Sequence, residues 1–130
     1  MERIRLLLVD DEEDFRTTLA SRLRRRDFDV TEVDSGYRAL QSIRTVPIDV
    51  VVLDVRMHGM DGLETLREMR RVNSLVEVIM LTGHASVESA VEGMRLGAFD
   101  YLMKPCDINE LVVKIHDAYQ RKLVQEASTK

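Results

Sequence analysis

Ile48-Asp49-Val50-Val51-Val52-Leu53-Asp54 is a run dominated by β-branched side chains that stops abruptly on a carboxylate. The run is too short for a buried helix, and it lacks the apolar/polar alternation of a strand with one wet face. It therefore predicts a strand over residues 48–53 with both faces covered. Strands of this kind belong to parallel sheets, whose connections are helical crossovers. An acid at the carboxyl end of such a strand lies where doubly wound folds hold their ligands.

The flanking sequence supplies what such a strand needs. Residues 4–9, 29–33, 76–81 and 100–103 also read as strands, rich in valine, isoleucine and leucine. Between them lie stretches with one apolar stripe at helical spacing: Phe15, Leu19 and Leu23; Val87, Ala90, Val91 and Met94; Ile108, Leu111, Val112, Ile115 and Tyr119. Asp61 with Glu64, and Asp107 with Glu110, have capping-box spacing. Gly97 after Leu96 suits a left-handed helix end. Strict alternation of strand and helix predicts an α/β fold, a doubly wound five-stranded parallel sheet with five helices.

A chain of 130 residues fits one core. Residues 1–122 are expected to form the domain and 123–130 a tail or the start of a linker. With 19 basic against 23 acidic residues the net charge is -4, so the overall field does not favour nucleic acid or an anionic membrane surface. Cys106 is the single cysteine and has no internal disulfide partner, and no signal-peptide pattern opens the chain, which points to a cytoplasmic protein. Apolar runs such as Val50 to Leu53 fall far short of the ~20 residues that a spanning helix needs.

Polar residues gather where these strands end: Asp10 and Asp11 after the first, Asp54 after the third, Thr82 after the fourth and Lys104 after the fifth. Three carboxylates converging at one sheet edge repel one another unless a cation neutralises them. Oxygen donors without a histidine or cysteine cluster favour a hard ion, and Mg²⁺ is the expected cofactor. A metal beside the Thr82 hydroxyl and the Lys104 ammonium suits the oxygens of a phosphoryl group. Asp54, central in the sheet, is the candidate nucleophile that would form an acyl phosphate. Asp10 and Asp11 would then hold the metal.

The pair Asp10-Asp11 followed by Glu12, the strand end Val51-Val52-Leu53-Asp54, Met60-Asp61-Gly62-Leu63-Glu64, Leu81-Thr82 and Tyr101-Leu102-Met103-Lys104-Pro105 occur in this order, and together they resemble the receiver domain of two-component response regulators. The resemblance covers residues 4–119. It implies the flavodoxin-like strand order 2-1-3-4-5, and a phosphoryl group accepted on Asp54 from a sensor histidine kinase. It implies Mg²⁺ held by Asp11, Asp54 and the Arg56 backbone carbonyl, with Asp10 acting largely through water. Thr82 and Lys104 would contact the phosphoryl oxygens, and Lys104-Pro105 would be a cis peptide. Thr82 and Tyr101 would form the switch, remodelling the face of the fourth helix, fifth strand and fifth helix to control an output domain or downstream protein. No turnover is expected beyond Mg²⁺-dependent self-phosphorylation from phosphodonors and autodephosphorylation. Homodimer formation stays open. Leu81-Thr82-Gly83-His84-Ala85 and Gly97-Ala98-Phe99-Asp100-Tyr101 resemble receivers attached to sigma-54-dependent transcription activators. His58 departs from the family's frequent proline after Met57, and Arg56 and His84 stand where the family tunes phosphoryl lifetime.

Blander readings exist for each residue. Asp10 and Asp11 could cap a turn, Lys104 could be a surface charge, and Tyr101 could be half-buried packing. A phosphatase of the haloacid dehalogenase type also phosphorylates an aspartate at a strand end, but it needs a second acid two residues later, where this chain has Arg56. The remaining rival is a receiver-like module that docks or dimerises without phosphorylation.

Overall fold

The computed structural model describes residues 2–83 and 86–129. Five strands, β1 (Arg5–Val9), β2 (Asp29–Val33), β3 (Val50–Leu53), β4 (Glu77–Thr82) and β5 (Asp100–Met103), alternate with α1 (Glu13–Arg24), α2 (Gly36–Thr45), α3 (Gly62–Val72), α4 (Val87–Arg95) and α5 (Ile108–Ser128). The strands form one parallel sheet in the order β2-β1-β3-β4-β5. This is the expected doubly wound topology. The strand order reverses between β1 and β3, so their carboxyl ends open the crevice that such sheets use for ligands.

Side chains along a strand alternate between faces, and the central strands are apolar on both. Leu6, Leu8, Val50, Val52, Ile79 and Leu81 enter one core with Leu19, Leu23, Leu111 and Ile115 of α1 and α5. Leu7, Val9, Val51, Leu53, Val78 and Met80 enter the other with Leu40, Ile43, Leu66 and Met69 of α2 and α3. α4 buries only Gly93, and Val87, Val91 and Met94 stay exposed. It is the helix least fixed by the core, so its position is the cheapest to change.

The helix ends follow local chemistry. Ser35 Oγ and Asp61 Oδ1 accept from backbone N–H groups in the first turns of α2 and α3. Reciprocal capping occurs at α4, between Ser86 and Ser89. Gly97 takes φ +100° just past α4, the left-handed conformation that its position predicts.

β3 begins at Val50, two residues later than the apolar run suggests. Asp49 is diverted into an ion-pair network at the amino-terminal edge of the sheet. Its Oδ2 accepts from the Arg5 backbone N–H at 2.9 Å, and its Oδ1 lies 2.9 Å from Lys122 Nζ. Lys122 also meets Glu126 at 2.9 Å. Nearby, the fully buried Glu77 pairs with both Arg121 and Arg70. These pairs hold the last turns of α5 against the sheet, and the helix continues to Ser128 through residues expected to form a tail.

Burial pushes the Asp49 carboxyl up, but hydrogen bonds from Arg5 and Lys122 pull it further down, to below its ordinary 3.8. A depressed carboxyl stabilises the fold above its unfolded pKa, and that contribution is lost as pH falls through the folded value. Asp49→Asn is therefore expected to lower stability at neutral pH and to flatten the acid limb below 3.8. Urea midpoints of both proteins measured from neutral to acid pH test this; parallel curves would refute it.

Candidate functional site

The sheet ladder itself positions the acids. Beyond the last paired residue of β1, the Asp10 N–H donates to Val33 O at 3.2 Å; beyond β3, the Asp54 N–H donates to Val9 O at 3.0 Å. Both carboxylates are therefore fixed at the switch point by backbone rather than by flexible stems, and each residue is only 2% exposed. Lys104 reaches them from the end of β5. Its backbone N–H donates to Thr82 O at 2.8 Å, continuing the ladder with β4.

The Lys104 ammonium lies 2.6 Å from Asp10 Oδ2, 3.1 Å from Glu12 Oε1 and 3.6 Å from Asp54 Oδ2. The Phe15 ring centroid is 4.1 Å from Nζ, which adds a cation–π contact. Burial lowers the lysine's proton affinity, but Asp10, Asp54 and Glu12 more than reverse this, so its pKa is raised and the ammonium persists. Asp10 is raised too, but by burial itself, which outweighs the hydrogen bonds from Lys104 and the Glu12 N–H. One ammonium cannot neutralise this cluster. Carboxylate oxygens of Asp10, Glu12 and Asp54 lie within 4.8 Å of one another. Such crowding of hard oxygen donors fits a divalent cation.

Glu12 is a member of this cluster that the sequence pattern did not single out as a metal ligand. Its signal was present in the unbroken acidic run Asp10-Asp11-Glu12, but an exposed glutamate opening a helix reads as a dipole partner. Asp11 is placed differently from its expected companions. Its Oδ2 accepts from the His58 backbone N–H at 2.9 Å and lies 2.8 Å from His58 Nδ1. Burial pushes Asp11 up, but these contacts with His58 bring its pKa below the ordinary value. Asp11, Glu12, Arg56, Met57, His58 and Asp61 line an open cleft of about 400 Å³ beside the cluster. The Arg56 N–H points toward Asp54 Oδ1 at 3.4 Å.

Thr82 ends β4 and is fully buried. The Lys104–Pro105 peptide is cis. Tyr101 is half-buried, and its hydroxyl shares a hydrogen bond of 2.6 Å with Ser89 Oγ of α4. His84 lies outside the described residues. The arrangement places buried carboxylates, an ammonium and a hydroxyl-bearing residue at the carboxyl ends of neighbouring strands, groups whose chemistry suits the oxygens of a phosphoryl group.

Fold and site together define a doubly wound α/β domain whose working edge is an acidic crevice closed by a lysine. The family model described as the response regulator receiver domain matches residues 6–116, and the chain belongs to that family. Receiver domains bind Mg²⁺ at an acidic pocket, and this chain has a corresponding acidic cluster. Over 128 residues the chain is 38% identical to the transcriptional regulatory protein ZraR of Escherichia coli O157:H7, a match covering 98% of this chain and 29% of ZraR. The chain thus spans less than a third of that curated relative. Among solved structures it is similar to a CheY-like receiver domain protein from Methanospirillum hungatei JF-1, with a TM-score of 0.91, 25% identity, and coverage of 95% of this chain and 99% of that one. It is also similar to a response regulator from Burkholderia pseudomallei, with a TM-score of 0.83 and 25% identity, covering 98% of this chain and 75% of that one. No helix among the described residues is long and apolar enough to cross a membrane.

Proposed function

We propose that Asp54 is the phosphorylated residue, accepting its phosphoryl group from the phosphohistidine of a sensor kinase. The observation that carries this is the placement of Asp54: buried, fixed by the β1 ladder, and facing the Lys104 ammonium at 3.6 Å. The Burkholderia neighbour carries a phosphorylated aspartic acid, which supports the same chemistry here. An Asp54 oxygen attacks phosphorus, the P–N bond to the donor imidazole breaks, and that nitrogen keeps the electron pair and takes a proton. Lys104 leaves Asp54 and Asp10 to meet the charge that builds on the phosphoryl oxygens, and the Thr82 hydroxyl donates to another of them. Mg²⁺, held by Asp54, Asp11 and the Arg56 carbonyl with Asp10 acting through water, would neutralise the acids and polarise the phosphoryl group.

Thr82 moving toward the phosphoryl group opens space beside Tyr101. The tyrosine then gives up its bond to Ser89 and turns inward, which shifts the weakly anchored α4 and the α4–β5–α5 face. A nearly complete switch needs about 5 kcal/mol of preference for the active state. That face would control an output domain or downstream partner, in transcription regulation as for the relative ZraR.

Intact mass after incubation with acetyl phosphate and Mg²⁺ tests the assignment. Wild type is expected to gain one phosphoryl group that acid quenching preserves and Asp54→Asn to gain none. Adducts on both proteins, or on neither, would refute it.

A further inference from the structure

The loop between β3 and α3 makes an unusual contact with Asp11. Two donors from one residue, the backbone N–H and the ring Nδ1 of His58, converge on a single oxygen, Asp11 Oδ2, at 2.9 and 2.8 Å. An oxygen that accepts two such bonds has both lone-pair directions engaged. The His58 ring is otherwise bathed in solvent, whereas the Asp11 side chain is only 20% exposed, so the histidine comes to the aspartate and caps it from outside. The oxygens that converge among the described residues belong to Asp10, Glu12 and Asp54, with Asp11 held apart from them.

We infer that His58 is a positioning residue that latches Asp11 onto the β3–α3 loop and competes with a divalent cation for that carboxylate. The inference rests on the assignment of Asp11 as a metal ligand. A cation drawing on Asp11 Oδ2 must weaken at least one of the two bonds, and one drawing on Oδ1 needs the carboxylate turned toward the cluster and withdraws charge from the oxygen that accepts them, so the latch lowers the affinity for metal. It also ties metal entry to release of the loop that leaves Asp54, which couples the cation to the phosphorylated position through backbone. Without the latch, Asp11 is free to turn inward and the cation binds more tightly.

Mg²⁺ titrations followed by NMR, reading the His58 ring and the Asp11 and Asp54 amides, test this on wild type, His58→Ala, His58→Pro and Asp11→Asn. In wild type the His58 ring signals are expected to move with the same midpoint as the Asp54 amide. His58→Ala keeps the backbone donor and loses the ring, and is expected to bind Mg²⁺ about three-fold more tightly; His58→Pro loses both donors and is expected to gain about ten-fold. Asp11→Asn is expected to bind more weakly than wild type. Unchanged or weaker binding by His58→Ala, with Asp11→Asn weakened, would overturn the latch and leave the metal assignment standing. Undiminished binding by Asp11→Asn would overturn both. The ring of His58 is exposed, so His58→Ala is expected to fold normally, and the alanine variant decides the matter even if the proline variant does not fold.

Discussion

Arg121→Ala is expected to lower stability by roughly 3 kcal/mol, or about 10 °C in Tm, although Arg121 acts at the far edge of the sheet from Asp54. Its partner Glu77 opens β4 with no exposed surface, and Arg121 donates to it through both Nε and Nη2. Removing the arginine leaves the carboxylate buried with Arg70 Nη1 at 3.8 Å, too far for a hydrogen bond. The cost arises from stranding a charge rather than from losing a favourable pair. One double variant separates these accounts. Glu77→Leu combined with Arg121→Leu removes both charges and fills the space with apolar atoms, and is expected to recover most of the loss. Urea unfolding of the single and double variants measures it; a double variant as unstable as Arg121→Ala would show that the pair itself is what stabilises.

Where signals were local, the sequence revealed them. The apolar run ending at Asp54, the acids after β1 and the lysine after β5 each declare themselves within a few residues, because strand burial and strand-end chemistry are local patterns. Asp49 and Glu77 were opaque for the opposite reason. Each is an acid beside an apolar strand, and its partner is 73 or 44 residues away on α5, so nothing near either residue announces that it will be buried. The same pairs explain why α5 outlasts its apolar stripe: Arg121 and Lys122 attach the helix by charge where hydrophobic spacing fades. In the site, sequence brought Asp10, Asp54 and Lys104 together correctly, since the sheet ladder carries all three. It did not reveal that Glu12 joins the cluster or that His58 captures Asp11, because both depend on how loops fold back over the strand ends.

Gly62→Ala is expected to damage stability and phosphorylation together, through backbone contact alone. Gly62 is the first residue of α3, and its N–H donates to Val55 O at 2.7 Å, so the helix start presses directly on the chain leaving Asp54. A Cβ there would lie 2.1 Å from the Asp54 carbonyl oxygen and 2.6 Å from Val55 Cα. Both obstacles are backbone, and no side-chain rotation relieves them. Alanine is the better helix former by about 1 kcal/mol, but overlap this deep outweighs that gain, so either α3 or the Asp54–Arg56 segment must move by about an ångström. A displacement of that size at a reacting carboxylate costs on the order of 100-fold in rate. Gly93→Ala is the control: it lies within α4 and its Cβ would meet nothing closer than 3.7 Å, so a small rise in stability and unchanged phosphorylation are expected. Acetyl phosphate labelling rates and thermal midpoints for both variants decide the matter. Labelling of Gly62→Ala at the wild-type rate would show that the loop absorbs the side chain without disturbing Asp54.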